Sequence, residues 1–84
     1  MSKYSKENLS LTVRANIRKY RKQQKLTLQE LADKTGLTHG YIRDLECFGI
    51  DKTPLLETLG KFAEALDIDI KSLFDDVDID KLKK

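Results

Sequence analysis

Several common building materials are scarce in this 84-residue chain, and each scarcity removes a class of protein. Cys47 is the only cysteine, so no internal disulfide and no cysteine-based zinc site can form, and one thiol fits a reducing compartment. Glycine is sparse, and proline occurs once, at Pro54. No apolar run approaches a signal sequence or a membrane span, so a cytoplasmic protein without membrane association is expected. There is a single histidine, His39, and no metal-ligand cluster, phosphate-cradling glycine loop or spaced nucleophile–base pair. An enzyme is therefore not expected, nor is a metal or cofactor. The acid pair Asp75–Asp76 lies in a polar tail, where solvation or helix capping accounts for it.

What the chain does contain is enough for one globular domain. Its charged fraction is 36% and its hydrophobic fraction 39%, ordinary for a folded helical unit. Net charge is only +2, but it is unevenly placed. Residues 1–26 carry eight Lys/Arg and one acid, whereas residues 27–53 carry three against five and residues 54–84 five against eight. The positive field thus gathers on Arg14, Arg18, Lys19, Arg21, Lys22 and Lys25. Either a solvated helix face or a polyanion-binding surface accounts for it.

Hydrophobic spacing predicts an all-α fold of five helices. Residues 1–10 read as a flexible polar arm. From Leu11, Val13, Ile17, Tyr20 and Gln24 recur at helical spacing to about Lys25. Thr27 and Glu30 form a capping box for a second helix, with Leu26 and Leu31 as its hydrophobic staple. That helix should stop at Gly36. Thr38 caps a third helix, running to about Cys47, whose apolar face is Tyr41, Ile42 and Leu45. Residues 48–52 read as a loop, in which Phe48 and Ile50 serve either as core or as an exposed patch. Thr53-Pro54 should open a fourth helix bearing Leu55, Leu59, Phe62, Ala63 and Leu66, ended by Asp67. Asp69 can cap a last helix presenting Ile70, Leu73 and Phe74. The domain is expected over residues 11–75, with 76–84 a tail that frays, forms a strand or makes a dimer contact.

The link between the second and third helices is the informative feature. Two short helices joined so tightly need a small residue at their crossing and a left-handed turn between them. Ala32 and Gly36 supply these, while Leu31, Leu37, Ile42 and Leu45 lock the pair together. This is what a helix-turn-helix unit requires.

The stretch from Ile17-Arg18 through Arg21, Leu26-Thr27-Leu28-Gln29-Glu30-Leu31-Ala32, Thr35-Gly36-Leu37-Thr38, Tyr41-Ile42 and Leu45-Glu46 resembles the Xre family of phage-repressor-like domains. So does Pro54…Leu59…Ala63…Leu66 followed by Leu73-Phe74, and the likeness covers about residues 13–74. The resemblance implies a compact five-helix, lambda-repressor-like fold whose third helix enters the major groove of double-stranded DNA. It places the base-reading positions at His39, Gly40, Arg43 and Asp44, and a partly buried ion pair at Arg21 and Glu46. Arg43 has the best chemistry, because a guanidinium bonds guanine O6 and N7 together; Asp44 can accept from cytosine N4 but repels phosphate. Candidate phosphate contacts are Gln29, Thr38, Tyr41, Lys52 and Thr53, with Arg18 and Lys22 on the basic first helix. Tyr41 serves equally as a packing residue. Leu28 departs from the glutamine common in the family, and the loop Cys47-Phe48-Gly49-Ile50-Asp51 departs from its short basic turn.

The resemblance implies a transcriptional regulator, often a repressor, that binds palindromic operators as a homodimer. The rival expectation is a protein-interaction module such as an antitoxin, motivated by Asp44, Glu46 and the apolar loop.

Overall fold

The computed structural model describes residues 4–82, which form helices and connecting turns. Helix α1 spans Lys6–Gln23, α2 Leu28–Thr35, α3 His39–Glu46 and α4 Leu56–Leu66. A 3-10 segment, Ile70–Phe74, and a one-turn α5, Ile79–Leu82, follow. No strand occurs among the described residues.

The first boundary corrects the expectation of a polar arm over residues 1–10. Helix α1 begins at Lys6, because the Ser5 side chain accepts from the Asn8 backbone N–H at 3.2 Å and caps it. Ser10 and Leu11 are buried, and the Ser10 hydroxyl donates to the Lys52 carbonyl at 2.9 Å. Distant partners order a segment that has little apolar periodicity of its own. Of that proposed arm, residues 1–3 lie outside the described residues, as do residues 83 and 84 of the tail.

Helix α2 is set by local chemistry. Thr27 accepts from Glu30 N at 3.0 Å while the Glu30 carboxylate accepts from Thr27 N at 2.8 Å. Gly36 ends it at φ 75°, its N–H donating to Ala32 O at 2.9 Å. Two residues later the Thr38 hydroxyl accepts from Tyr41 N at 3.1 Å and starts α3.

Helix α4 starts later than the proline suggests. Pro54 is buried one position before the N-cap residue Leu55, which makes no side-chain capping bond. Leu55 is consequently 64% exposed and Leu56 79%, so Leu55 does not belong to the buried stripe expected of it. The stripe consists of Leu59, Phe62, Ala63 and Leu66. Asp67 ends the helix in a left-handed conformation, φ 53°. The fifth expected helix is a 3-10 segment capped by Asp69 and buries Leu73, but leaves Ile70 and Phe74 exposed.

One core joins these elements: Val13 and Ile17 of α1, Leu31 and Ala32 of α2, Ile42 and Leu45 of α3, Leu59, Phe62 and Leu66 of α4, and Leu73. Each fully buried aliphatic or aromatic side chain contributes about 1.5–3 kcal/mol. Ala32, 2% exposed, lies in this core with Ile42 and Leu45 of α3. A larger side chain there would push the two helices apart.

Candidate nucleic-acid interface

Helix α3 is held on its inner face by Ile42 and Leu45, both fully buried, and this fixes what it presents outward. His39 and Arg43 are exposed, and Gly40 and Asp44 are half-buried. Positions 39, 40, 43 and 44 recur at helical spacing, so they share one face. A Cβ placed on Gly40 would meet only Arg43 Nη2, at an ordinary 3.7 Å. The fold itself therefore does not demand glycine there.

The charges on this face are partly internally matched. Arg43 Nη2 lies 3.4 Å from Asp44 Oδ1, and Lys52 Nζ lies 4.0 Å from Asp44 Oδ2. The Lys52 ammonium also sits over the Tyr41 ring, 4.8 Å from its centroid. Arg43, Asp44, Lys52 and Tyr41 thus form one connected group. Burial pushes the Tyr41 hydroxyl pKa up, with a partial offset from hydrogen bonding to Thr58.

Thr38 is exposed at the start of α3 and Thr53 beyond its end. Gln29 is exposed on α2, with its amide bonded to Asp33 at 2.9 Å. Leu28, at the departure from the usual glutamine, packs against the core. On α1, Arg18 and Lys22 are exposed one turn apart. Arg18 is drawn toward the end of α3, its Nε 3.9 Å from Glu46 Oε1 and its guanidinium 5.8 Å from the Phe48 ring centre.

Arg21 and Glu46 meet in a two-pronged pair, Nε to Oε2 at 2.7 Å and Nη2 to Oε1 at 2.8 Å. The third nitrogen, Nη1, donates to Leu26 O at 2.7 Å. Bonding to Glu46 raises the Arg21 pKa against the opposing effect of burial. The side chains are only 12% and 8% exposed, so the pair ties α1 to the end of α3 away from bulk water. Removing one partner of such a pair costs about 3–5 kcal/mol, because the other charge is left buried.

Arg14 does not belong with the outward-facing cations. It is 2% exposed, and its guanidinium donates to the carbonyls of Asp44, Leu45, Cys47 and Lys52 at 2.7–3.2 Å. Burial lowers its pKa, and Asp51 opposes that. The sequence holds a signal for this. Ser10, Arg14, Ile17 and Arg21 are spaced along one face of α1, so Arg14 shares the side that carries buried Ile17. Phe48 is half-buried with its ring flanked by Arg14 and Arg18, whereas Ile50 is 41% exposed. Among the described residues, no group of three or more His, Cys, Asp or Glu side chains gathers as a metal site would require. No described helix is long and apolar enough to cross a membrane.

Comparison with known proteins agrees with this geometry. The SinR protein/SinI protein complex contains a chain that superposes with a TM-score of 0.67 at 28% identity, covering 84% of this chain and 72% of that one. The HTH-type transcriptional regulator SinR of Bacillus subtilis (strain 168) is 32% identical over 60 residues. That match covers 71% of this chain and 53% of SinR, so the chain spans about half the length of this relative. The helix-turn-helix family model matches residues 17–73, from the middle of α1 through the 3-10 segment. The chain belongs to the helix-turn-helix family, in its Xre, phage-repressor-like branch.

Proposed function

We propose that this protein binds double-stranded DNA sequence-specifically through α3 and regulates transcription, acting as a repressor on a two-fold operator. The observation that carries this reading is an eight-residue helix, α3, fixed on α2 by the Gly36 turn, with His39 and Arg43 exposed on its outer face on a family helix-turn-helix scaffold. In this reading Arg43 takes a guanine edge and His39 a base or phosphate. Gly40 allows close approach. Thr38, Tyr41, Lys52, Thr53, Gln29, Arg18 and Lys22 supply backbone contacts, and Arg21 with Glu46 keeps α3 in place. Because one module reads few base pairs, a homodimer on two half-sites is the functional unit. The protein then acts in the cytoplasm, without catalytic chemistry of its own.

The deciding experiment is selection of bound duplexes from a random pool, repeated with Arg43→Ala. Enrichment of one two-fold motif, with relaxed preference at one position per half-site in the variant, is expected. No enrichment by the parent protein would overturn the reading. Unchanged preference in the variant would remove only the role given to Arg43.

A protein-partner reading rests on a specific observation: Ile50, Leu55 and Leu56 lie exposed close together in sequence just beyond α3. The solved relative is itself a complex of two proteins. Salt separates the readings. Binding through several phosphates weakens steeply as salt rises, whereas an apolar interface barely responds.

A further inference from the structure

Helix α3 is only eight residues long, and short helices leave their last carbonyls unpaired. Here one side chain from another helix takes two of them, Asp44 O and Leu45 O, the first of which also accepts from Cys47 N at 3.2 Å. Arg14 Nε donates to Leu45 O at 2.7 Å, and Nη2 donates to Asp44 O at 3.2 Å and Cys47 O at 2.8 Å. Its Nη1 reaches past the end of the helix to Lys52 O at 3.0 Å, which also accepts from the Ser10 hydroxyl at 2.9 Å. The 47–53 loop is thus pinned at both ends by α1. Across its middle lie the Ile50 N to Cys47 O bond, 2.9 Å, and the stacking of Phe48 on Arg14 and Arg18.

Pinning the Lys52 carbonyl fixes where the Lys52 side chain starts. Its ammonium then lies over Tyr41 and beside Asp44, on the face that presents Arg43. We infer that Arg14 is a positioning residue of the DNA interface, setting Lys52 and the 47–53 loop in register with α3. This rests on the DNA-binding reading above and adds the device that holds its base-reading and phosphate-contacting halves together. Helix capping alone would be met by the bonds to Asp44, Leu45 and Cys47. The bonds to Lys52 O, from two α1 donors, serve the loop. A lysine cannot replace the arginine, because an ammonium offers its donors from one point and cannot span carbonyls on both sides of the loop.

The test is a set of variants measured for melting temperature and for binding to the selected duplex over a salt series. Arg14→Lys keeps the charge and, studied well below its melting temperature, is expected to weaken duplex binding roughly tenfold. Its slope of log affinity against log salt should fall by about one, as for loss of one phosphate contact. In a Lys52→Ala background Arg14→Lys should change the slope no further, since it acts through Lys52. Ser10→Ala, which leaves Arg14 in place, should shift affinity and slope in the same direction by less. Arg14→Lys that lowers the melting temperature yet binds with parental affinity and slope would overturn the inference. So would full additivity with Lys52→Ala. If Arg14→Lys does not fold, an Ser10→Ala protein with parental affinity and slope overturns it instead. A parent protein that binds no duplex refutes the DNA reading and this inference together, whereas parental binding with an inert Arg14 refutes only the inference.

Discussion

Asp44 is a strange neighbour for two cations that the proposed function assigns to guanine and phosphate. Its carboxylate lies within 4.0 Å of both Arg43 Nη2 and Lys52 Nζ, at 30% side-chain exposure. Exposed pairs of this kind contribute little to stability, typically below about 1 kcal/mol. Their larger effect is on binding, because DNA must compete for cations already paired and must tolerate a nearby negative charge. Asp44→Asn should therefore leave the melting temperature nearly unchanged while tightening binding to arbitrary duplex more than to the selected one. The ratio of specific to non-specific affinity should drop, which competition titration against mixed-sequence DNA will read. A variant that loses affinity for the selected duplex alone would instead identify Asp44 as a base reader. At this scale the sequence was legible only in part. The family resemblance together with residue type nominates Arg43 and Lys52, whereas Arg14 reads as one more surface cation. Its partners are carbonyls 30–38 positions away, and no local pattern announces backbone acceptors that tertiary packing brings near.

Helix ends were the most readable elements where a side chain or glycine two or three residues away decides the geometry. Thr27, Glu30, Gly36 and Thr38 all act within one turn, so the joint between α2 and α3 follows from the chain itself. Less readable were ends that depend on remote partners. The start of α1 is tied to the α3–α4 loop by the bond from Ser10 to Lys52 O, and α4 starts after the buried Pro54 rather than on it. Left-handed residues end three helices, Lys25 at φ 58° just past α1, Gly36 at φ 75° after α2 and Asp67 at φ 53° after α4, and only Gly36 is a glycine. The last two call for opposite substitutions. Gly36→Ala should destabilise by about 1 kcal/mol through backbone strain, even though no atom lies within 4 Å of the added Cβ. Asp67→Gly should be neutral or stabilise by up to about 1 kcal/mol, since it relieves that strain where no side-chain contact is needed. Urea denaturation of both variants checks the signs.

Across the whole molecule the reading surface is small. The described chain has a Cα radius of gyration of 11.9 Å and a longest extent of 37 Å. Half-sites on one face of a duplex repeat every 34–36 Å, roughly, so two copies side by side span two successive grooves. Sedimentation equilibrium should show a dimer at micromolar protein with operator duplex, and small-angle scattering of the complex should exceed the single-chain radius. A strict one-to-one complex on a two-fold duplex would refute the proposed assembly. Exposed Leu55 and Leu56 are the first places to substitute if dimerisation is seen without DNA.

Helix α1 holds more than the 47–53 loop. Arg14 closes the end of α3, Gln24 Nε2 donates to Leu66 O at the end of α4 at 2.6 Å, and Asn16 Nδ2 donates to Leu73 O and Asp75 O beyond the core. Every one of these acceptors lies later in the chain, the farthest 59 residues after its donor. During synthesis at about 5–20 residues per second, Asn16 therefore waits about 3–12 s for its partners to be made. Until then the Asn16 amide bonds to water, while the Arg14 guanidinium, whose acceptors follow it by 30–38 residues, waits a shorter time. A ribosome paused before residue 75 therefore holds a chain whose first helix is complete in sequence but still lacks its last bonding partner.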